Sequence, residues 1–170
     1  MGEEKTMDEV EFEVKTVLHQ YTVAKLLMQV AQELLQRAGE HDASKLKAPE
    51  REKFLEATKG LAGLTYGSPE YKEALKGLGP ALKHHYLANR HHPEHYGALD
   101  HPRETRRDPV GRMNLVDVVE MFCDWAAATK RHDDGDLLES LKINRERFGV
   151  SDQLTRIFEN TAMEMGWLED

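Results

Sequence analysis

The chain has 170 residues and a net charge of −8, with 39% hydrophobic and 32% charged residues. This length favours a single domain over residues 1–170, and the composition is typical of amphipathic helices with charged outer faces. The acidic balance argues against broad nucleic-acid or anionic-membrane binding. No apolar run approaches the roughly 18 residues of a membrane span, and the acidic N-terminus lacks a signal-peptide pattern. We therefore expect a cytoplasmic protein.

Apolar periodicity, caps and prolines predict six helices, with approximate bounds 8–37, 48–62, 68–90, 115–131, 136–147 and 151–165. Gly39 is the predicted C-cap of the first helix, and Ser68 the N-cap of the third. Pro93 disfavours helical geometry at the residue before it, so the chain should leave the helix there and form a long loop over residues 97–112. No stretch alternates like a β-strand. The predicted fold class is all-α, a compact bundle of about six to seven helices.

Histidine is the unusual component of the sequence. There are nine, and five of them lie between His84 and His95. Histidine is the commonest metal ligand among side chains. The single cysteine, Cys123, excludes an intrachain disulfide and a cysteine-based zinc site. The histidine cluster therefore points towards a metal site of another kind.

The dipeptide His41-Asp42 follows the first predicted helix and offers two metal ligands from adjacent residues. Asp124 lies on the mainly apolar helix over residues 115–131, where a buried carboxylate is costly unless it is paired or bound to a metal. The alternative is that Asp124 lies on a solvated face. With His19 from the first helix, these residues offer ligands from separate elements that could hold one divalent cation.

This ordered set of ligands on an all-helical background resembles the HD-domain metal-dependent phosphohydrolase superfamily. The resemblance implies an HD-domain-like fold, hydrolysis of phosphate esters and a divalent metal bound by the ligands His19, His41, Asp42 and Asp124. The segment from His41 to Ser44 is also similar to that of bacterial 5′-deoxynucleotidases. Those enzymes have a glutamate where this chain has Lys45, so we do not transfer their catalytic acid.

A closer resemblance covers most of the chain and is to a small family of uncharacterised phage and bacterial HD-like proteins. It rests on three segments: His41-Asp-Ala-Ser-Lys45, Asn89-Arg-His-His-Pro-Glu-His95 and Glu120-Met-Phe-Cys-Asp-Trp125. Cyclic-dinucleotide phosphodiesterases and mixed-valence di-iron oxygenases of the superfamily place extra histidines in the middle segment. These histidines hold a second metal, and the aspartate of the His-Asp pair bridges the two ions.

The same role is implied here for His84 or His85 together with His91 or His92, and we favour His85 and His92. The other two histidines, His84 and His91, would then contact the substrate. With a single metal, these histidines would line the pocket and contact phosphate. The alternative is that they cap the helix or pack on tyrosines.

Four further side chains are candidates for chemistry near the metal. Lys45 could neutralise transition-state charge, and Glu120 could orient a ligand histidine or act as general base. Asn89 and Arg90 are candidate phosphate contacts, since a guanidinium suits bidentate recognition of phosphate. An exposed, solvated side chain is the alternative for each of them.

We therefore expect a metal-dependent phosphohydrolase that acts on a nucleotide or similar small phosphate ester through a metal-activated water. The alternatives are a di-iron oxygenase on the same fold and a non-catalytic metal-binding or interaction module. One or two divalent ions are expected, with Mn, Co, Ni, Fe, Mg and Zn all open. The expected partner is a phosphorylated small molecule, with no membrane. A homodimer stays open, because many superfamily members form dimers.

Overall fold

The computed structural model describes residues 5–61, 69, 73, 77–98, 108–131 and 135–168. Seven α-helices and two 3₁₀ turns have both ends within these residues, which contain no β-strand, so the predicted all-α class is confirmed. None of the described helices is long and apolar enough to cross a bilayer. The chain divides into two compact units, residues 1–39 and 40–170. The single domain over residues 1–170 stays a prediction.

The first unit contains, after residues 5 and 6, the helix α1 (Met7–Glu40) up to Gly39. Thr6 and Glu9 start it with a capping box: the Glu9 amide donates to Oγ1 of Thr6 at 3.3 Å, and the Thr6 amide donates to Oε2 of Glu9 at 2.7 Å. The predicted helix over residues 8–37 is confirmed. Its predicted C-cap is wrong, because the helix continues through Gly39. The low helix propensity of glycine was not sufficient to end the helix at this position.

The second unit begins with the turn that contains His41 and Asp42. Asp42 adopts a left-handed backbone conformation with a φ of 56°. Aspartate is among the non-glycine residues that tolerate this conformation best. A short 3₁₀ turn (Ala43–Leu46) and the helix α2 (Glu50–Leu61) follow, and the two pack against each other. The predicted helix over residues 48–62 is confirmed.

The histidine-rich segment connects two short helices, α3 (Gly79–Ala88) and α4 (Pro93–Ala98). The chain leaves α3 at Asn89, close to the predicted end. The predicted exit from the helix before Pro93 is confirmed, but a new helix starts at this proline and includes Gly97 and Ala98, where the loop over residues 97–112 was expected to begin. Proline suits a first turn, where its missing N–H group needs no partner. The predicted helix start at Ser68 and residues 99–107 of the predicted long loop lie outside the described residues.

The C-terminal helices pack into the hydrophobic core. They are α5 (Leu115–Thr129), α6 (Leu137–Phe148) and α7 (Asp152–Glu164), close to the predicted bounds. Phe122 of α5 stacks on Phe158 of α7, with ring centroids 4.6 Å apart. The buried core also contains Val110, Met121, Trp125, Ala126, Leu137, Leu141, Val150 and Ala162. This packing fixes α5, whose other face carries the acidic residues of the site.

Asp117 is completely buried in the first turn of α5. Its carboxylate accepts two hydrogen bonds from Arg90 at 3.0 and 3.2 Å, one from the Tyr96 hydroxyl at 2.5 Å and one from the Asn114 amide at 3.1 Å. Burial and this carboxylate raise the pKa of Tyr96 to about 12, so the hydroxyl stays a donor. The cluster ties the histidine-rich segment to the start of α5.

Replacing Asp117 with alanine should lower the free energy of unfolding by about 2 kcal/mol, because Tyr96 loses a buried acceptor and the Asn114 amide loses its acceptor in the capping box of α5. Chemical denaturation measures this loss. Asp152→Ala is the matched control, since Asp152 also lies in the first turn of a helix and pairs with an arginine, but is exposed. Asp152→Ala should lower the free energy of unfolding by less than about 1 kcal/mol. Equal losses in the two variants would contradict the buried role of Asp117.

Candidate metal centre

Four segments of the second unit bring histidine and carboxylate side chains together around Asp42. They are the turn after α1, the end of α3, the residues between α3 and α4, and one face of α5. Three groups of these side chains offer ligand atoms that lie within 4.8 Å of one another: Asp42, His85, His91 and His92; His41, Asp42 and Asp124; and His41, His91 and Glu120. The first two groups share Asp42.

Two histidines lie beside Oδ1 of Asp42, and a third lies beside one of them. The Nε2 atoms of His85 and His91 lie 3.2 and 3.5 Å from this oxygen. Nε2 of His92 lies 2.8 Å from Nε2 of His85. Two ligand atoms that each lie about 2.1 Å from one metal ion, at right angles, are about 3.0 Å apart. The four atoms therefore have the spacing of ligands to a single ion.

The second oxygen of Asp42 faces a different group. Nε2 of His41 lies 3.7 Å from Oδ2 of Asp42 and 3.6 Å from Oδ1 of Asp124. The Lys45 ammonium donates a hydrogen bond to the same Oδ2 at 2.5 Å. Each oxygen of Asp42 thus lies beside a separate set of candidate ligands. This is the arrangement that a carboxylate needs to bridge two cations.

The carboxylates of Glu120 and Glu50 hold the remaining ring nitrogen of three histidines. Oε1 of Glu120 lies 3.0 Å from Nδ1 of both His41 and His91. Oε2 of Glu50 lies 2.9 Å from Nδ1 of His85. Because a carboxylate accepts hydrogen bonds, each Nδ1 donates, which turns Nε2 towards the centre of the cluster. Metal-ligating histidines are typically oriented in this way.

The charges around the cluster favour a cation. Hydrogen bonds to two carboxylates raise the pKa of His41 to about 10, so its Nε2 holds a proton unless a metal ion replaces it. Burial raises the pKa of the Asp42 carboxyl, but nearby His85 and Lys45 outweigh burial and hold that pKa well below its usual range. Burial and two neighbouring histidines lower the pKa of His92 to about 3. This ring is neutral and able to ligate.

Two buried polar atoms at the centre have no hydrogen-bond partner among the residues that the structure describes. They are Oδ1 of Asp42 and Nε2 of His91, which lie 3.5 Å apart. A buried polar atom without a partner costs roughly 1–3 kcal/mol. A carboxylate oxygen and an imidazole nitrogen both have lone pairs that suit a transition-metal ion. The residues present therefore fit a metal ion at this position.

Five of the six predicted metal ligands lie in these groups: His41, Asp42, His85, His92 and Asp124. The sixth, His19, lies on α1 in the first unit, and its assignment as a ligand stays a prediction. His91 was expected to contact the substrate. In the structure it is buried among the candidate ligands, with its Nε2 3.5 Å from Oδ1 of Asp42, and its contact with the substrate stays a prediction.

The other predicted substrate contacts are engaged by groups of the protein. Asn89 donates a hydrogen bond to Oγ of Ser44 at 2.8 Å. Arg90 pairs with the buried carboxylate at the start of α5. Nδ1 of His84 lies 2.7 Å from Oε1 of Glu50. Their proposed contact with phosphate stays a prediction.

Sequence reasoning missed Glu50, which is completely buried. One of its oxygens contacts His84, and the other contacts His85 and accepts a hydrogen bond from Ser44 at 2.9 Å. These partners hold the pKa of Glu50 below its usual value despite the opposing effect of burial. In the sequence, Glu50 is an acidic residue in a first helical turn, which the helix dipole alone explains. The one available signal was its place at the helix start that follows the His-Asp pair.

The chain combines an all-α fold with a histidine–carboxylate cluster around Asp42 that could hold a metal ion. The family model DUF5662, described as a family of unknown function, matches residues 8–164. The chain belongs to that family. No curated protein and no solved structure matches the chain. Membership of the HD-domain superfamily stays a prediction.

Proposed function

We propose that this protein is an HD-type, metal-dependent phosphohydrolase that acts on a nucleotide or similar small phosphate ester. Two divalent cations would lie on either side of the Asp42 carboxylate. The observation that carries this function is the division of the two Asp42 oxygens between two groups of candidate ligands. Paired metal sites that share ligands are common in enzymes that hydrolyse phosphate esters.

Each cation would have its own set of ligands. Asp42 would bind one ion together with the three histidines His85, His91 and His92, and the other ion together with His41 and Asp124. A set rich in imidazole favours first-row transition ions over Mg²⁺ and Ca²⁺. Such cations polarise phosphate oxygens and increase the acidity of water.

The protein itself supplies orientation and charge. Glu120 fixes two of the ligand rings, and Glu50 fixes His85. Lys45 supplies a fixed positive charge beside Asp42, where it would stabilise negative charge on a phosphate oxygen. Asn89 also bonds the backbone carbonyl of His85, at 2.8 Å, which holds the end of α3 in place. These contacts keep the ligand atoms positioned before a substrate arrives.

Metal analysis followed by a phosphate-release screen tests this function. Protein stripped with a chelator and reloaded with Mn²⁺, Co²⁺, Ni²⁺, Fe²⁺ or Zn²⁺ should bind two ions per chain. It should then release phosphate from at least one member of a nucleotide panel. Protein that binds no ion, or that binds two and hydrolyses no phosphate ester, contradicts the assignment. Oxygen consumption by the iron-loaded protein, without phosphate release, would indicate a di-iron oxygenase instead.

Replacing Lys45 with methionine should tighten divalent-metal binding by about tenfold, because the ammonium competes with the cation for the same Asp42 oxygen. Phosphate release should fall in the same variant, since a positive charge beside the substrate is lost. Isothermal titration calorimetry and a phosphate assay measure the two effects. Lys47→Met is the matched control, because Lys47 is exposed nearby. Equal metal affinities of the two variants would exclude the competition.

A further inference from the structure

A small cavity of about 210 Å³ lies beside the metal cluster. Two of its lining residues, His92 and Asp124, are also candidate metal ligands. The rest of the lining is mostly apolar or aromatic and includes Phe54, Leu78, Leu82, Tyr86, Trp125 and Phe148. The cavity is therefore continuous with the metal cluster but has the chemistry of an apolar binding site.

We propose that this cavity binds an aromatic ring of the substrate, attached to the phosphate that reaches the metal cluster. This role for the cavity rests on the phosphohydrolase function proposed above. Because His92 and Asp124 belong to both sites, a phosphate bound at the metal cluster would have the cavity next to it, within reach of its ester group. The substrate class is thus a phosphate ester whose alcohol part carries an aromatic or heteroaromatic ring, as a nucleotide does, rather than a small aliphatic ester.

The size of the cavity and the charges of its lining are suited to binding an uncharged ring. An apolar cavity of about 150 Å³ in another protein holds benzene, so 210 Å³ accommodates one ring with a substituent. Outside the metal cluster, the charged lining residues are Glu94 and Arg147, which pair with each other at 2.7 Å. The guanidinium also lies over the ring of Phe148, 4.6 Å from its centroid. Outside the metal cluster, the lining therefore has no unpaired charge that would favour a charged substituent.

The aromatic side chains that line the cavity favour aromatic groups in particular orientations. Trp125 and Phe148 have nearly parallel rings, with an interplanar angle of 8° and centroids 6.0 Å apart. Tyr86 contacts the ring of His92, with centroids 5.1 Å apart. Flat aromatic groups gain from stacked or edge-to-face contacts with such side chains. A ring should therefore bind more tightly than an aliphatic group of similar size.

Two non-hydrolysable probes test the inference without relying on turnover. Calorimetry should show that phenylphosphonate binds the Mn²⁺-loaded protein at least about tenfold more tightly than methylphosphonate does, because the phenyl ring is removed from water. Ala128→Trp fills the cavity from its wall on α5 and should abolish this preference. Ala127→Trp is the matched control, since Ala127 is exposed on the same helix and should retain the preference. Ala128→Leu replaces the larger variant if tryptophan prevents folding.

Equal affinities of the two phosphonates for the unmodified protein, or a preference that survives Ala128→Trp, would overturn the inference. Failure of the phosphohydrolase function alone appears in the phosphate-release screen and leaves the preference for phenylphosphonate in place. Failure of the metal site gives a third result: neither phosphonate depends on Mn²⁺ for binding, whereas phenol still binds in ligand-observed NMR and loses binding in Ala128→Trp. That pattern supports the ring site alone. Absence of phenol binding together with equal phosphonate affinities rejects the cavity as a ring site.

Discussion

Replacing Asp42 with asparagine should weaken divalent-metal binding by more than about 100-fold and abolish phosphate release. The two groups that would hold the two ions both contain this carboxylate, so its loss removes a ligand from each. Loss of an outer-shell partner alone typically costs 10–100-fold in metal affinity, and loss of a shared ligand should cost more. Asparagine keeps the size of the side chain and also tolerates the left-handed backbone found at Asp42.

Elemental analysis and a competition titration against a chelator measure this loss. Asp152→Asn is the control, because it makes the same change at an exposed aspartate outside the cluster. It should retain both ions and full phosphate release. Circular dichroism of the two variants checks that both remain helical. Two bound ions in Asp42→Asn would rule out Asp42 as the shared ligand.

Glu120→Gln should weaken metal binding by about 10–100-fold, although Glu120 contacts the ligands through their outer nitrogens. The carboxylate holds Nδ1 of both His41 and His91 at 3.0 Å. Both contacts are to the same oxygen, Oε1, and a neutral amide oxygen accepts weaker hydrogen bonds than a charged carboxylate oxygen does. Both rings should therefore be held less firmly in the ligand orientation.

The comparison with Glu50→Gln makes the Glu120 prediction specific. Glu120 contacts one ligand from each of the two groups, whereas Glu50 holds only His85 among the candidate ligands. In a stepwise titration, Glu120→Gln should therefore lower the affinity for both ions, and Glu50→Gln should lower the affinity for one. Glu139→Gln, an exposed change on α6, should affect neither. If Glu120→Gln left both affinities unchanged, Glu120 would not be an orienting residue.

The helices were predictable because their signals are local. Asn114, Asp136 and Ser151 each accept a hydrogen bond from a backbone amide in the first turn that follows, and their positions set the starts of α5, α6 and α7. Gly39 was misjudged as a C-cap because its low helix propensity did not end α1, and the helix that starts at Pro93 was missed because only the effect of proline on the preceding residue was considered. Intrinsic preferences are weak compared with the surrounding helix.

The candidate site was predictable only where residue type alone carries the signal. His41, Asp42 and Asp124 combine metal-binding chemistry with ordered positions, and the structure groups them. Glu50 gives no such signal, because a glutamate in a first helical turn is ordinary until its burial against His85 is seen. The same holds for His91, because the choice between a ligand role and a substrate contact depends on the direction of its ring. Tertiary packing sets both.

Anomalous diffraction from crystals grown with Mn²⁺ tests the bridging role of Asp42 most directly. We expect two peaks about 3.5–4 Å apart, a separation typical of two-metal sites. One peak should lie beside Oδ1, within ligand distance of the three histidines around it, and the other beside Oδ2, close to His41 and Asp124. A single peak that contacts only one oxygen of Asp42, or no peak at this carboxylate, would contradict a bridged pair of metal ions.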